Sequence, residues 1–277
     1  LDWFFIQDKI LLYIVSTPIG NLDDMSRRAL QTLEACDAIL CEDTRRSSIL
    51  LERYGIRKRL VSYHAFKERA ALEGVLRDLE AGKNLALISD AGTPCINDPG
   101  LILAQGCIER GIPFTAIPGP CSIIQALVLS GMETERFQFI GFLPRKAEAA
   151  LKQALGYPGT TVAFESPERL AETLELLARL DPKRKIAVAR EMTKTFEECR
   201  RGTADELQAH FAAQPPRGEI VLMIAGGEPP VEEMGVEELV EMLRDLHSLS
   251  LKEAVKTAAR LRKEPKSDVY RKIHGEP

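Results

Sequence analysis

The stretch Leu85 to Gly100 (LALISDAGTPCINDPG) constrains this chain more than any other. Four apolar residues in a row, with no polar alternation, make a strand buried on both faces, and Gly, Pro, Asp and Asn follow them at once. Such a strand ends in a loop whose backbone N–H groups open into the crevice at the carboxyl edge of an open α/β sheet, the usual place for a ligand. Asp98 followed by Pro99 reads as a helix N-cap with proline in the first turn, opening an amphipathic segment from Gly100 to Arg110. An ordinary strand-to-helix connection explains the same residues, because glycine and proline punctuate every such connection.

The pattern recurs along the chain. Strands are expected at Ile10 to Ser16, Asp37 to Cys41, Leu60 to His64, Leu85 to Ile88 and Phe114 to Ile117. Helices are expected at Met25 to Ala35 (capped by Asp23 or Asp24), from Glu42-Asp43-Thr44 to about Tyr54, at Glu68 to Ala81, Gly100 to Arg110 and Ser122 to Ser130. Strands alternating with helices of these lengths make a mostly parallel sheet covered on both faces. The Pro/Gly loops Thr17 to Leu22, Ser89 to Gly100 and Ile117 to Pro120 would then line one crevice.

After Gly131 the character changes. Phe137 to Phe142 is apolar, and Gly141-Phe142-Leu143-Pro144-Arg145-Lys146 reads as a linker into a second α/β unit. That unit has strands at Thr160 to Glu165, Lys185 to Ala189, Phe196 to Gly202 and Glu219 to Ala225, with helices at Ala147 to Leu155, Pro167 to Arg179 and Ala204 to Phe211. Short helices near Val236 to Leu246, Leu251 to Arg262 and Ser267 to His274 suffice for a small appendage. The expected division is an extension at 1–9, an N-terminal α/β domain at 10–119, a C-terminal α/β domain at 120–230 and a helical appendage at 231–277.

Composition narrows the function classes. With 277 residues, 45% hydrophobic and 28% charged, the chain reads as a soluble protein of two domains, and no apolar run is long enough to span a bilayer. Leu1 to Ile10, with Trp3, Phe4 and Phe5 but no basic leader, reads as an extension or non-native start rather than a secretion signal. Cys36, Cys41, Cys95, Cys107, Cys121 and Cys199 show no zinc spacing, so no structural metal is expected, and scattered single cysteines point to the cytoplasm. Net charge is −4, yet Arg45-Arg46, Arg57-Lys58-Arg59, Lys183-Arg184-Lys185 and Arg200-Arg201 form local basic groups. Lys252, Lys256, Arg260, Arg262, Lys263, Lys266, Arg271 and Lys272 make the C-terminal end basic. Contact with RNA and plain solvated faces both explain these groups. No G-x-G-x-x-G, no G-x-x-x-x-G-K-[ST] and no G-x-S-x-G is present, and His64, His210, His247 and His274 are not arranged for a hydrolase.

The phrases YIVSTPIGNLDD, ILCEDTRRS, LISDAGTPCINDPG, IPGPCSIIQALVLSGM, FQFIGFLPRK, FESPERL and AREMTKTFEECRRG, in this order, resemble the bacterial ribosomal RNA small subunit methyltransferase I family. That family belongs to the tetrapyrrole methylase-like superfamily of class III S-adenosylmethionine-dependent enzymes. The resemblance runs from about Ile10 onward and is weakest in the appendage. It implies two α/β domains of the tetrapyrrole methylase type plus a small helical C-terminal appendage. It also implies a cytoplasmic homodimer that holds S-adenosylmethionine between its domains. The reaction it implies is methylation of the ribose 2′-oxygen of a decoding-centre cytidine, the partner being 16S rRNA or the small ribosomal subunit. Carried over by motif, Pro18, Asp90, Gly92, Ile96, Pro118, Ser122 and Ile123 would hold the cofactor, with Phe164, Ala189 and Ala225 at second-domain strand ends.

The residues fit that chemistry. Methyl transfer from a sulfonium is an in-line displacement, so the protein has chiefly to position the methyl carbon and exclude water. Ser89, Ala91, Gly92 and Gly119 allow close backbone approach, while Ile96, Ile123 and Phe164 would wall the adenine. Asp90 either accepts from the cofactor or caps a backbone N–H. For the acceptor hydroxyl, Glu42, Asp43 and Arg45 are the catalytic candidates, with His64, Lys67, Glu165, Arg190, Glu191 and Lys194 also in view. Glu42-Asp43 as a helix cap, Arg45 as its partner, and Arg190, Glu191 and Lys194 as an ion-pair network are the structural alternatives. Arg45, Arg46, His64, Lys67 and Lys194 are the candidate RNA contacts.

Three departures from the family pattern fall on the substrate side: Glu168 where histidine is usual, Asn97 for serine, and Ala65-Phe66-Lys67 for a more polar run. Two other readings stand beside the resemblance. One is a relative acting on a corrin or sirohaem precursor, against which Thr17-Pro18-Ile19-Gly20-Asn21 lacks the G-x-G-D form. The other is a non-catalytic RNA-binding assembly protein of the same fold.

Overall fold

The strands β1 (Leu12–Val15), β2 (Ala38–Cys41), β3 (Arg59–Ser62), β4 (Leu85–Ile88) and β5 (Phe114–Ile117) form one sheet in the order β3-β2-β4-β1-β5. The computed structural model describes residues 10–65, 68–227, 235–247, 249–262 and 264–274. Every neighbouring pair in this sheet is parallel. All residues of β2 and β4 are buried, as the unbroken apolar runs require when helices cover both faces, whereas edge strand β3 exposes its first and last residues.

The strand order sets where a crevice must open. From β1 the chain passes over β4 to reach β2, and from β4 it passes over β1 to reach β5. Right-handed crossovers in opposite directions put the two sets of helices on opposite faces. Helices α1 (Arg27–Ala35) and α2 (Thr44–Arg53) accordingly pack with Val15, Ile39, Cys41, Ala86 and Ile88. On the other face, α3 (Glu68–Glu80) and α4 (Leu101–Arg110) pack with Leu12, Ala38, Leu40, Leu85 and Leu87. The turns leaving β1 and β4 part at this switch point, the place where doubly wound sheets take their ligands. Helix α5 (Ser122–Ser130) follows the turn at the end of β5.

Two helix starts differ from the sequence expectation. Asp23 and Asp24 lie in a 3₁₀ turn, Leu22–Asp24, whose cap is the Asn21 side chain, and α1 is capped by Ser26, whose hydroxyl accepts from Ala29 N–H. Serine one turn later wins because the Pro18 to Asn21 bend must close before the helix can begin. Asp98 does not cap α4 either. The N-cap is Gly100 at φ +129°, a conformation open to glycine, and its N–H donates to Glu68 Oε1 at 2.8 Å. Cys95 (φ +71°) and Asn97 (φ +62°) take left-handed backbone in the same loop, which Asn tolerates better than most residues.

A second sheet holds β6 (Phe137–Phe142), β7 (Thr160–Glu165), β8 (Ile186–Arg190), β9 (Glu198–Gly202) and β10 (Ile220–Ile224) in the order β6-β7-β10-β8-β9. Gly141 and Phe142 belong to edge strand β6 rather than to a linker. An irregularity in the register after Phe139 lets Phe142 pair with Phe164, and the rings of Phe139 and Phe142 lie 4.9 and 5.2 Å from that of Phe164. Helices α6 (Glu148–Gly156), α7 (Pro167–Leu180) and α8 (Ala204–Ala213) accompany this sheet, α8 starting with a capping box between Thr203 and Glu206. Of the described residues, those up to Ser130 with 188–200 and 216–221 form one compact unit, and the remainder a second.

Helices α9 (Val236–His247), α10 (Leu251–Arg262) and α11 (Lys266–His274) share a core of their own, with Leu239, Val255 and Val269 inside and Ala254, Ala258 and Ala259 keeping the helices close. Arg262 and Lys272 pair with Glu264 and Arg271 with Asp268, while Lys252, Lys256 and Arg260 form an exposed stripe at four-residue spacing along α10. Lys263 lies outside the described residues. No helix among the described residues is long and apolar enough to cross a membrane.

Glu68 is the polar element of the first core: 7% exposed, it accepts from Gly100 N–H and from the hydroxyl of fully buried Tyr63 at 3.3 Å. Replacing Glu68 with Ala strands both donors, and we expect a loss of about 3 kcal/mol in urea unfolding. Glu68→Gln, whose amide oxygen still accepts, should lose less than half of that. A loss below about 1 kcal/mol in Glu68→Ala would show that the carboxylate does not hold the loop.

Candidate functional site

The turns at the ends of β1, β4 and β5 meet. Thr17 N–H donates to Gly92 O at 2.8 Å and Gly92 N–H to Thr17 O at 3.0 Å, an isolated antiparallel bridge at the end of two parallel strands. The Thr17 hydroxyl donates to Ser89 O at 3.1 Å. Ser16 Oγ lies 3.0 Å from Thr93 Oγ1, which donates at 3.0 Å to Pro120 O in the turn after β5. Pro18, Ser89, Asp90, Ala91, Gly92, Pro118, Gly119, Ser122 and Ile123 are thereby brought to one edge of one sheet. Ala91, Pro118 and Gly119 are exposed there and Ile96 is 44% exposed, whereas Pro18, Gly92 and Ile123 lie buried beneath.

The end of β2 joins them through Asp90, whose Oδ1 accepts from Asp43 N–H at 3.3 Å and whose Oδ2 pairs with Arg46 at 3.0 Å. Asp43 caps α2, accepting from Arg45 N–H at 2.8 Å and pairing with the Arg45 guanidinium at 3.0 Å. The Arg45 hydrogen bonds, side chain and backbone, hold the Asp43 carboxyl down at about 2. Asp43 and Arg45 are thus spent on each other, and Asp43 is a poor proton acceptor. Arg46, expected as an RNA contact, is held by Asp90.

Asp98, expected as a helix cap, is a functional candidate that sequence reasoning missed. Freed from capping, its half-buried carboxyl sits beside Ser89 and faces Glu42 and Asp90. Burial first, and then the Glu42 charge, push it up to about 6 against the favourable Ser89 hydroxyl, with Asp90 adding a smaller push. Carboxyls perturbed this way gather at functional sites. The signal was in the sequence: glycine directly after Asp98-Pro99 can take the positive φ that keeps the chain out of the helix until Leu101.

The remaining candidates divide. Glu165 is buried and satisfied, accepting from Ser166 N–H and Thr173 Oγ1 at 2.7 Å each and paired with Arg169, so it is a structural carboxylate rather than a base. Phe164 belongs to the aromatic cluster of the second sheet, Ala189 has no exposed surface, and Ala225 O accepts from Arg184 at 3.0 Å. Glu198 bridges Arg190 and Arg200, while Lys194 pairs with Glu191 at 2.8 Å and Glu219 at 3.3 Å, the ion-pair network that was the alternative for these residues. Burial works against the Lys194 charge, but its carboxylate partners outweigh that and raise its proton affinity. His64 lies beyond β3, which ends at Ser62 rather than at His64 as expected, and its carbonyl accepts from Glu68 N–H at 2.9 Å; Lys67 lies outside the described residues. Glu168 is exposed in the first turn of α7, where its own N–H and Ser166 lower its proton affinity. Among the described residues no group of His, Cys, Asp or Glu is arranged to hold a metal ion.

Asp98 has a measurable consequence. Its folded carboxyl, near 6, binds a proton more tightly than the unfolded one near 3.8, so the native state carries the extra proton between those values. Stability contributed by this group is therefore greatest below about pH 4, falls as pH rises toward about 6, and is level above that. Urea unfolding across this window should show that decline in the wild type and a flatter profile in Asp98→Asn. Identical profiles would mean that the carboxyl is not perturbed.

The model of the tetrapyrrole (corrin/porphyrin) methylases matches residues 11–208. The ribosomal RNA small subunit methyltransferase I of Mesorhizobium japonicum is 43% identical over 268 residues, 95% of this chain and 90% of the relative. Its counterpart from Halalkalibacterium halodurans is 40% identical over 280 residues, 98% of this chain and 96% of the relative. The crystal structure of uroporphyrin-III-C-methyltransferase from Thermus thermophilus superposes with a TM-score of 0.55 at 20% identity, covering 77% of this chain and 93% of that one, a likeness of fold. Two α/β sheets with this strand alternation, three turns meeting at one sheet edge and similarity over nearly the whole length lead to one conclusion: the chain belongs to the tetrapyrrole methylase family and, within it, to the ribosomal RNA small subunit methyltransferase I group.

Proposed function

We propose that this protein is a cytoplasmic S-adenosylmethionine-dependent methyltransferase that modifies the ribose 2′-oxygen of a decoding-centre cytidine, position 1402, in 16S rRNA. The observation that carries the reading is the meeting of the β1, β4 and β5 turns at one point, in a chain of this family. When bound, S-adenosylmethionine supplies a methyl group on a positively charged sulfur. The turns fit such a group: exposed Ala91, Pro118 and Gly119 leave backbone amides and carbonyls within reach, and Ile96 offers apolar surface to a base.

The chain's own task is to orient the donor against the ribose hydroxyl and keep water away. Asp90, anchored by Asp43 N–H and Arg46, presents its carboxylate in a fixed direction at the rim. Of the carboxylates around these turns, Asp98 is suited to hold the proton that leaves the 2′-hydroxyl, whereas Asp43 binds one too weakly. Glu42 stands beside Asp98 and raises its affinity for that proton.

At Gly92 φ is +83°, and a β-carbon there would lie 3.3 Å from Ile19 Cγ2. Gly92→Val should therefore weaken S-adenosylmethionine binding about tenfold or more in calorimetry, the strain of one displaced turn being about 1–3 kcal/mol. Mass spectrometry of 16S rRNA from a strain lacking this gene should show loss of one 2′-O-methyl in the decoding region, restored by the wild-type protein. An unchanged methylation map would overturn the proposed function.

A further inference from the structure

A second opening lies near these turns, within the same compact unit. It is a cleft of about 470 Å³ lined by residues 20–23, Arg53 and residues 193–195. Its walls meet closely at Gly20, where a β-carbon would run into Lys194 Cγ and come within 2.8 Å of Thr193 Oγ1. Asn21 N–H donates to Thr193 Oγ1 at 3.0 Å, tying the walls together.

The far wall is strained and held. Glu191 (φ +49°) and Thr193 (φ +65°) both take left-handed backbone, unusual for a glutamate and more so for a β-branched residue. Each is fixed by several bonds: Glu191 N–H donates to Glu219 O at 3.2 Å, Glu191 Oε1 accepts from Lys194 Nζ, and Thr193 N–H donates to Glu197 Oε2 at 2.6 Å. Strain that the surroundings over-determine is typical of ligand clamps. The near wall ends at Arg53 in the last turn of α2. The next residue, Tyr54, donates its hydroxyl to Leu22 O at 2.5 Å, which keeps that helix end against the 20–23 turn.

Charge distinguishes this cleft from the basic groups seen in the sequence. Arg45 and Arg46 are held by Asp43 and Asp90, but among the described residues no carboxylate is in ion-pair contact with the exposed Arg53. Lys194 already has two carboxylate partners and keeps one ammonium proton to give. Thr195 adds an exposed hydroxyl, and the Thr193 hydroxyl, which accepts from Asn21, still has its own proton to donate. Asp23, the carboxylate of the lining, repels an anion from its own rim and confines it to the side of Arg53 and Lys194.

We propose that this cleft holds a backbone phosphate of the RNA strand, with Arg53 as its main charged contact and the 193–195 turn as its cradle. The proposal rests on the rRNA reading above and adds the place where the strand is gripped. Phosphate contacts set register rather than sequence, which is the task of a cleft beside a methyl-transfer site.

The test is methyl transfer to small ribosomal subunits lacking the modification, at several salt concentrations, with S-adenosylmethionine affinity measured separately. Arg53→Ala should raise KM for subunits about tenfold and leave kcat and S-adenosylmethionine Kd within about twofold. It should also flatten the slope of log kcat/KM against log salt by about 0.7, the share of a single phosphate. Arg53→Lys should restore much of the slope. Arg77→Ala, removing an exposed cation from the α3 face away from the cleft, should change neither. An unchanged slope in Arg53→Ala, or the same change in Arg77→Ala, would overturn the proposal while leaving the methyltransferase reading intact. No transfer to subunits by the wild type would overturn both.

Discussion

Two backbone hydrogen bonds between Thr17 and Gly92 hold the first unit's site together. Each contributes about 1 kcal/mol, so their importance is geometric rather than energetic. Parallel neighbours β1 and β4 send their chains in opposite directions, and without a link their turns would diverge into solvent. The bridge reverses that divergence for one residue pair and sets the rim of the crevice. Thr93 extends the link to the turn after β5, and Glu68 pins the other end of the 89–100 loop through Gly100. A loop of small residues thus acquires a definite shape without large side chains filling the space a ligand needs.

The charges around that rim follow a consistent division. Exposed pairs such as Asp43 with Arg45 and Asp90 with Arg46 add little stability, since water screens them and their long side chains lose freedom. What they do is fix direction: Asp90 cannot swing away from β4, and the start of α2 is held to the sheet edge. Asp98 differs because burial, not a cation, decides its state. Arg53 and the 193–195 turn lie apart from this set, and the strain at Glu191 and Thr193 is carried by the Glu219 and Glu197 contacts.

Much of this was legible along the chain. An unbroken apolar run followed at once by Gly and Pro marked β4, because a strand buried on both faces has no other way to look, and short apolar stretches ending in the same residues marked β1 and edge strand β5. Helix starts were read less well. Asp23, Asp24 and Asp98 are good caps in isolation, but Ser26 and Gly100 took the positions for reasons of chain path that local propensity does not contain. Gly141-Phe142 looked like a linker, since its place on β6 depends on pairing with Phe164, more than twenty positions away. Glu165 looked like a base until Thr173 and Arg169, on the following helix, were seen to occupy it.

The order of residues alone determined the α/β class, the alternation of elements, the turns rich in small residues and the family, since each is written in short windows of polarity and motif. Only the tertiary structure decided which charges are neutralised and which remain available. An ion pair such as Arg46 with Asp90, or the burial that perturbs Asp98, joins residues brought together by crossovers between strands. Electrostatic strength depends on distance and dielectric, and neither exists until the chain has folded.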